Sequence, residues 1–234
     1  MASAQGNDAA QCDPTDSTLT GGELKIYKEH FSSVFGTSGA AISFDRDSVD
    51  KLCQMDSANT FVRLYFGAKH DTLGHLPFVI MVPFKKTNCA NDITSTVLVS
   101  QSNGDSSVFM NGESDEVQNA LTQWRGLYNL DSLAGYSQRW GYRFTWTTVF
   151  DACVEDTNDL HVSFAIMNDT TYNDTGFVDS LSIHMVLSDK SVEDPRTGTG
   201  DRLFLDFSEP CPKLCGSLVT GSSTRQSAIK EEED

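Results

Sequence analysis

Two cysteines, Cys211 and Cys215, close the run Pro210-Cys211-Pro212-Lys213-Leu214-Cys215-Gly216. The prolines fix φ and remove backbone donors, so the chain leaves any sheet here and turns. Thiols at this spacing can meet as a disulfide or serve as two ligands of one metal ion. Structural zinc takes four ligands, typically as two close pairs. The second pair is missing, because Cys89 stands alone and His161 and His184 fall in strand-like runs. A redox pair needs a thiol pKa lowered by a helix N-terminus or a cation, and Lys213 is the one local cation. The spacing is also one residue longer than the Cys-x-x-Cys of thioredoxin-like proteins. The turn reads first as scaffold. A redox or zinc protein built on Cys211 and Cys215 is the alternative, and zinc is the one cofactor the sequence suggests.

Other residues carry weaker chemical signals. His70 and His75 bound the run His70-Asp71-Thr72-Leu73-Gly74-His75 and could hold a metal with Asp71. A polar loop does not fix that geometry, so a solvent-facing turn is expected. Trp140, Tyr142, Phe144 and Trp146 alternate with Gly141, Arg143 and Thr145, a period of two that predicts a strand with one wholly aromatic face. Such stripes usually face a core. Tyr136 and Trp140, near its beginning, are the residues expected to reach solvent as a ligand or partner surface. Asn168-Asp169 and Asn173-Asp174 miss the alternating pattern of a calcium loop, and Thr197-Gly198-Thr199-Gly200 lacks the Gly-Lys-Ser/Thr ending of a phosphate loop. No Gly-x-Ser-x-Gly turn or His-Glu-x-x-His helix is present. A hydrolase built on His161, His184 and scattered carboxylates would need those groups to converge.

The elements that must position these residues follow from periodicity. Leu24, Tyr27, Phe31, Val34 and Phe35 form a helical stripe that Gly36 can end. A short helix is expected from Asp45 to Cys53, capped by Ser43 or Asp45. Phe61 to Phe66 and Phe78 to Val82 read as strands around a polar loop containing Gly74, with Pro83 limiting the second or pushing it to an edge. Ser95 to Val99 reads as a third strand and Gln101 to Ser114 as a loop. Ser114 then caps a helix whose inner positions are Val117, Leu121, Trp124 and Tyr128. His161 to Met167 and Leu181 to Leu187 repeat the strand, polar loop, strand arrangement of residues 61–82, and Leu203 to Phe207 is the last strand. The fold class is α+β, a largely antiparallel sheet with two to three covering helices. Residues 1–20 are expected to be a disordered arm, 21–216 a single domain, and 217–234 a disordered acidic tail ending in Glu231-Glu232-Glu233-Asp234.

Composition narrows the function. The 234 residues are 38% hydrophobic and 10% aromatic, enough for a core without a metal or disulfide. The formal net charge of −16, with no window gathering Lys and Arg, argues against nucleic acid and against anionic membrane surfaces. Met1 to Thr20 lacks the basic start and apolar core of a signal peptide, and the longest apolar run, Leu76 to Phe84, falls far short of the ~20 residues that span a bilayer. A cytoplasmic location with reduced thiols is expected, Cys53 and Cys153 serving as small core side chains. The function these features suggest is a non-enzymatic interaction protein whose partner is another protein. It would act through a sheet edge or the aromatic surface.

One ordered set of motifs carries a resemblance. It comprises a helix, the arginine-bearing aromatic strand Phe61 to Gly67, a strand ending Met81-Val82-Pro83, the segment Asn91-Asp92-Ile93, and the closing Cys211-Pro212-x-x-Cys215. It resembles a group of uncharacterised proteins common in Bacteroidetes genomes, over roughly residues 40–216. Those proteins commonly end in Cys-Pro-Pro-x-Cys, where Lys213 stands here in place of the second proline. The resemblance implies domain boundaries and carries no activity.

Overall fold

Two long hairpins organise the chain, and the apolar runs that predict strands are only their central portions. The computed structural model describes residues 16–19, 21–35, 42–55, 61–71, 74–84, 96–101, 106–127, 135–137, 139–151, 159–173, 176–189 and 203–206. In chain order the elements begin with β1 (Asp16–Leu19), α1 (Gly21–Phe35), β2 (Ile42–Phe44) and α2 (Arg46–Gln54). There follow β3 (Phe61–Asp71), β4 (Gly74–Phe84), β5 (Thr96–Ser100), β6 (Ser107–Asn111) and α3 (Asp115–Leu127). The last are β7 (Tyr136–Ser137), β8 (Gly141–Thr145), α4 (Trp146–Asp151), β9 (Leu160–Asn173), β10 (Gly176–Asp189) and β11 (Leu203–Asp206).

The fold is α+β and largely antiparallel, with one parallel contact where β7 meets β10. The strands divide into two sheets rather than one. The first runs β1-β11-β10-β9-β2 with β7 also on β10, and the second runs β6-β5-β4-β3-β8. Each is built around one hairpin, β9–β10 or β3–β4, paired without interruption along its length. β1 occupies residues expected to belong to a disordered arm and pairs with β11 from Asp16 opposite Asp206 to Leu19 opposite Leu203.

The reason for two sheets lies in alternation. On β3, Val62, Leu64 and Phe66 join Met81, Leu98, Tyr142 and Phe144 in a core shared with Val162, Phe164, Ile166, Ile183 and Met185 of the other sheet. The opposite face of β3 is apolar as well: Tyr65, with Ile80, Val82, Val97 and Val99, packs under Val117, Ala120 and Leu121 of α3. A strand buried on both faces needs a layer on each side. In the first sheet, Ala165, Met167 and Val186 likewise pack against Leu24 of α1. The helices thus cover different sheets instead of sharing one face.

Pro83 sits within β4, opposite Val62 of β3. The ladder from β4 to β5 covers only Ile80 and Met81, so the missing proline N–H falls where β4 needs no second partner. The aromatic stripe is shorter than its period suggests. Tyr142 and Phe144 face the shared core, whereas Trp140 precedes β8 and packs with the α3-covered cluster. Trp146 is the first residue of α4, because Thr145 Oγ1 accepts a hydrogen bond from the Thr148 N–H (3.0 Å) and ends the strand by starting a helix.

Asp45 caps α2 as expected, its Oδ1 accepting from the Ser48 N–H at 2.9 Å while Oδ2 accepts from the Ser107 hydroxyl at 3.0 Å. Partial burial pushes its pKa up, but the hydrogen bonds from Ser48 and Ser107 outweigh this and hold it below the usual carboxylate value. A depressed folded-state pKa means the contribution is present above the unfolded-state pKa and is lost as pH falls through the folded value. Asp45→Ala should cost about 1 kcal/mol in urea melts at neutral pH. The difference from the unaltered chain should vanish in melts run below the carboxylate range.

Candidate functional site

Three features of the described residues are candidates: an open sheet edge, a cationic aromatic cluster, and a buried histidine chain. The edge is β6, which pairs with β5 from Ser107 opposite Ser100 to Asn111 opposite Thr96. No described strand lies beyond it. Phe109 turns toward the shared core and Met110 toward the α3-covered cluster, leaving Val108 at 40% exposure. Protected edges carry charges, prolines or bulges. The sequence Ser-Val-Phe-Met-Asn carries none of these, and its five pairs run without a bulge.

This strand falls in the stretch expected to be a loop, Gln101 to Ser114. Val108-Phe109-Met110 shows no period of two, so pattern alone gives no strand. Its apolar content inside a polar stretch was the available signal.

The second feature lies at the other end of the same sheet. Arg63 on β3 and Arg143 on β8 are register partners, and both are buried. Arg63 Nη1 donates to the Tyr65 hydroxyl at 3.4 Å, and the Arg143 guanidinium lies 5.6 Å from the Phe61 ring centre. Arg125 of α3 stacks on Trp140, 3.9 Å from the ring centre. Burial pushes the Tyr65 hydroxyl pKa up, with the charge and hydrogen bond of Arg63 and the charge of Arg125 pulling the other way. Burial likewise lowers the Arg125 pKa, opposed by Tyr65. Tyr65 therefore lies within electrostatic reach of both guanidinium groups.

The third feature is a hydrogen-bonded chain of Ser182, His184 and Tyr142. β7 holds β10 at Leu181 and Ser182, β11 holds it at Val186 and Leu187, and Tyr142 of β8 enters the interval. Its hydroxyl donates to the Ile183 carbonyl at 3.0 Å, standing in for a strand neighbour. With that proton committed, the contact of 3.1 Å between the Tyr142 oxygen and His184 Nδ1 requires Nδ1–H to be the donor. In the neutral imidazole Nε2 then accepts from the Ser182 hydroxyl at 2.6 Å. This is the polarity of a serine–base pair, but Ser182 is 0% exposed. A nucleophile must reach a substrate atom, so the chain of bonds reads as a seam between the two sheets. His161 does not join it. That side chain lies 3.4 Å from the Ser43 hydroxyl, opposite Ser188 in the ladder.

The residues singled out from sequence fall as follows. Cys211 and Cys215 lie outside the described residues, as do Cys12, Cys89 and Cys153. Cys53 is a free thiol packed against the shared core, and burial together with the Asp50 charge pushes its pKa up. His70 and His75 are not ends of a long polar loop. They sit on β3 and β4 as direct register partners, because the hairpin continues to Asp71 opposite Gly74. Tyr136 lies on β7 opposite Leu181 and Trp140 just before β8, both half-buried. Among the described residues, no group of three or more His, Cys, Asp or Glu side chains is placed to share a metal ion. None of the described helices is long and apolar enough to cross a membrane.

Comparison with protein-family models, with curated proteins and with solved structures gives no match.

Proposed function

We propose that this chain is a non-enzymatic interaction module that takes an extended segment of another protein as a further strand beside β6. One observation carries the reading: a strand without charged residues or a bulge, at the edge of its sheet among the described strands, with Val108 exposed. An edge of this kind presents alternate N–H and C=O groups outward, the template that strand-adding recognition uses. Main-chain bonds give such binding its affinity, and side-chain pockets its selectivity.

Charge identifies the kind of segment. At a net charge of −16, two copies of this chain repel each other, while a segment with lysines or arginines flanking its strand is attracted. The partner is therefore a basic extended peptide rather than a second copy.

A labelled peptide of alternating valine and threonine with lysines at both ends supplies the probe, read by fluorescence anisotropy. It should bind, and binding should weaken as salt rises. Val108→Lys puts a positive charge on the edge and should weaken binding by about tenfold or more. The same peptide flanked by glutamates should bind far less. Equal binding to the Val108→Lys variant, or self-association of the free chain by light scattering, would overturn the proposal.

A further inference from the structure

We propose that Arg125 and the indole N–H of Trp140, supported by Arg63, form a binding site for a small oxyanion, a carboxylate or a phosphate. The site lies on the β8 side of the second sheet, at the far end from β6, and is independent of strand addition.

The argument begins with donors. Trp140 Nε1 is buried and has no hydrogen-bond acceptor among the described residues, and indole nitrogen can only donate. Arg125 lies against the face of the same ring, 3.9 Å from its centre. A guanidinium stacked this way keeps its in-plane N–H groups directed outward, the fork that matches two oxygens of a carboxylate or phosphate. Among the described residues no carboxylate pairs with Arg125. The nearest ionisable neighbour in electrostatic terms is Tyr65, itself held neutral by burial and hydrogen-bonded from Arg63. Arg125 and Trp140 thus present donors at one place and no acceptor.

A second cluster in the same chain supplies the comparison. Arg46 stacks on Phe150 at 4.6 Å, and Phe150 stacks on Trp146, whose Nε1 is also buried without an acceptor. There the guanidinium has its own counter-charge, since Arg46 Nε donates to Asp50 Oδ1 at 3.1 Å. The two clusters share their cation, their aromatic rings and their buried indole. They differ in the carboxylate, which the fold supplies to Arg46 and an external oxyanion would supply to Arg125.

The chain has three tryptophans, so its indole N–H resonances form a small set that can be assigned with Trp140→Phe, Trp124→Phe and Trp146→Phe variants. The intact protein is titrated separately with inorganic phosphate, succinate and chloride, and the indole region of the proton–nitrogen correlation spectrum is recorded. The Trp140 resonance should move saturably with phosphate or succinate, the stronger of the two identifying the oxyanion class. Those of Trp124 and Trp146 should stay in place. Arg125→Gln should abolish the shift and Arg125→Lys should weaken binding by about tenfold, since a point charge replaces the fork. Trp140→Phe keeps the stacking ring and removes only the donor, so reduced affinity in calorimetry gives a second reading that does not depend on the Arg125 variants folding. An unmoved Trp140 resonance, a shift that survives Arg125→Gln, or an equal response to chloride would overturn the site.

Discussion

Trp124→Ala is expected to be the most damaging single substitution among the described residues, at about 3–5 kcal/mol. The side chain is fully buried where three elements meet. Its ring stacks on Phe66 of β3 at 4.7 Å and on Phe35 of α1 at 6.5 Å, and its Nε1 donates to the Arg139 carbonyl at 2.8 Å. Phe66 continues the contact to Phe164 of β9 at 5.8 Å. Removing the indole opens a cavity at the junction of both helices with both sheets, and leaves the Arg139 carbonyl without that donor. Against a typical domain stability of roughly 5–15 kcal/mol, the loss is a large fraction. The urea midpoint should fall steeply with an unchanged slope. Trp124→Phe preserves the stacking and should lose much less.

Gly141→Ala should be nearly as harmful, and for a different reason. Gly141 opposes Tyr65 where β8 joins β3, and a Cβ there would collide with the Leu64 carbonyl oxygen and lie 2.8 Å from Tyr65 Cα. Both are backbone atoms of a central strand, so β8 must move as a unit. A cost of about 3 kcal/mol follows, at the upper end of what overpacking brings. Gly67→Ala is the control. Its Cβ would meet the Phe78 ring at 2.8 Å, but that ring belongs to a half-buried side chain that can turn aside. Thermal melts of the two variants should therefore separate clearly, with Gly67→Ala within about 1 kcal/mol of the unaltered chain. Because β8 also carries Arg143 and follows Trp140, Gly141→Ala should disturb the oxyanion titration as well.

Where the physics is local, the sequence made the fold legible. Asp45 caps α2 because its side chain reaches an amide three residues on, a relation written within one helical turn. The stripe of Val117, Leu121 and Trp124 marks α3 for the same reason. The hairpins were legible only at their centres. Lys69-His70-Asp71 and Asn168-Asp169 have no strand preference of their own, and the cross-strand ladder carries the strands through them. Two sheets rather than one could have been inferred from Phe61-Val62 and Leu64-Tyr65-Phe66, apolar at successive positions on either side of Arg63, which already implies burial on both faces. The stripe from Trp140 to Trp146 misleads because its period of two continues past Thr145, whose hydroxyl starts a helix.

The candidate surfaces were less visible. Arg63 and Arg143 are far apart in sequence and meet only through the β3–β8 ladder, as Tyr142 and His184 meet only where β8 abuts β10. The edge character of β6 depends on which strand lacks a neighbour, a property of sheet order that no local pattern records. Position alone suggests only that Trp140, with Tyr136, reaches solvent as a ligand or partner surface. Its role as the platform for Arg125 becomes apparent once α3 is laid over β3.

Amide hydrogen exchange along Ser107 to Asn111, with and without the lysine-flanked peptide, tests the strand-accepting edge most directly. Alternate amides of β6 point away from β5, so in the free chain they should exchange fast while their neighbours, bonded to β5, exchange slowly. Added peptide should protect the fast set and leave amides of the β9–β10 hairpin unchanged. Fast amides that stay fast at saturating peptide, or a β6 already fully protected in the free chain, would contradict the account.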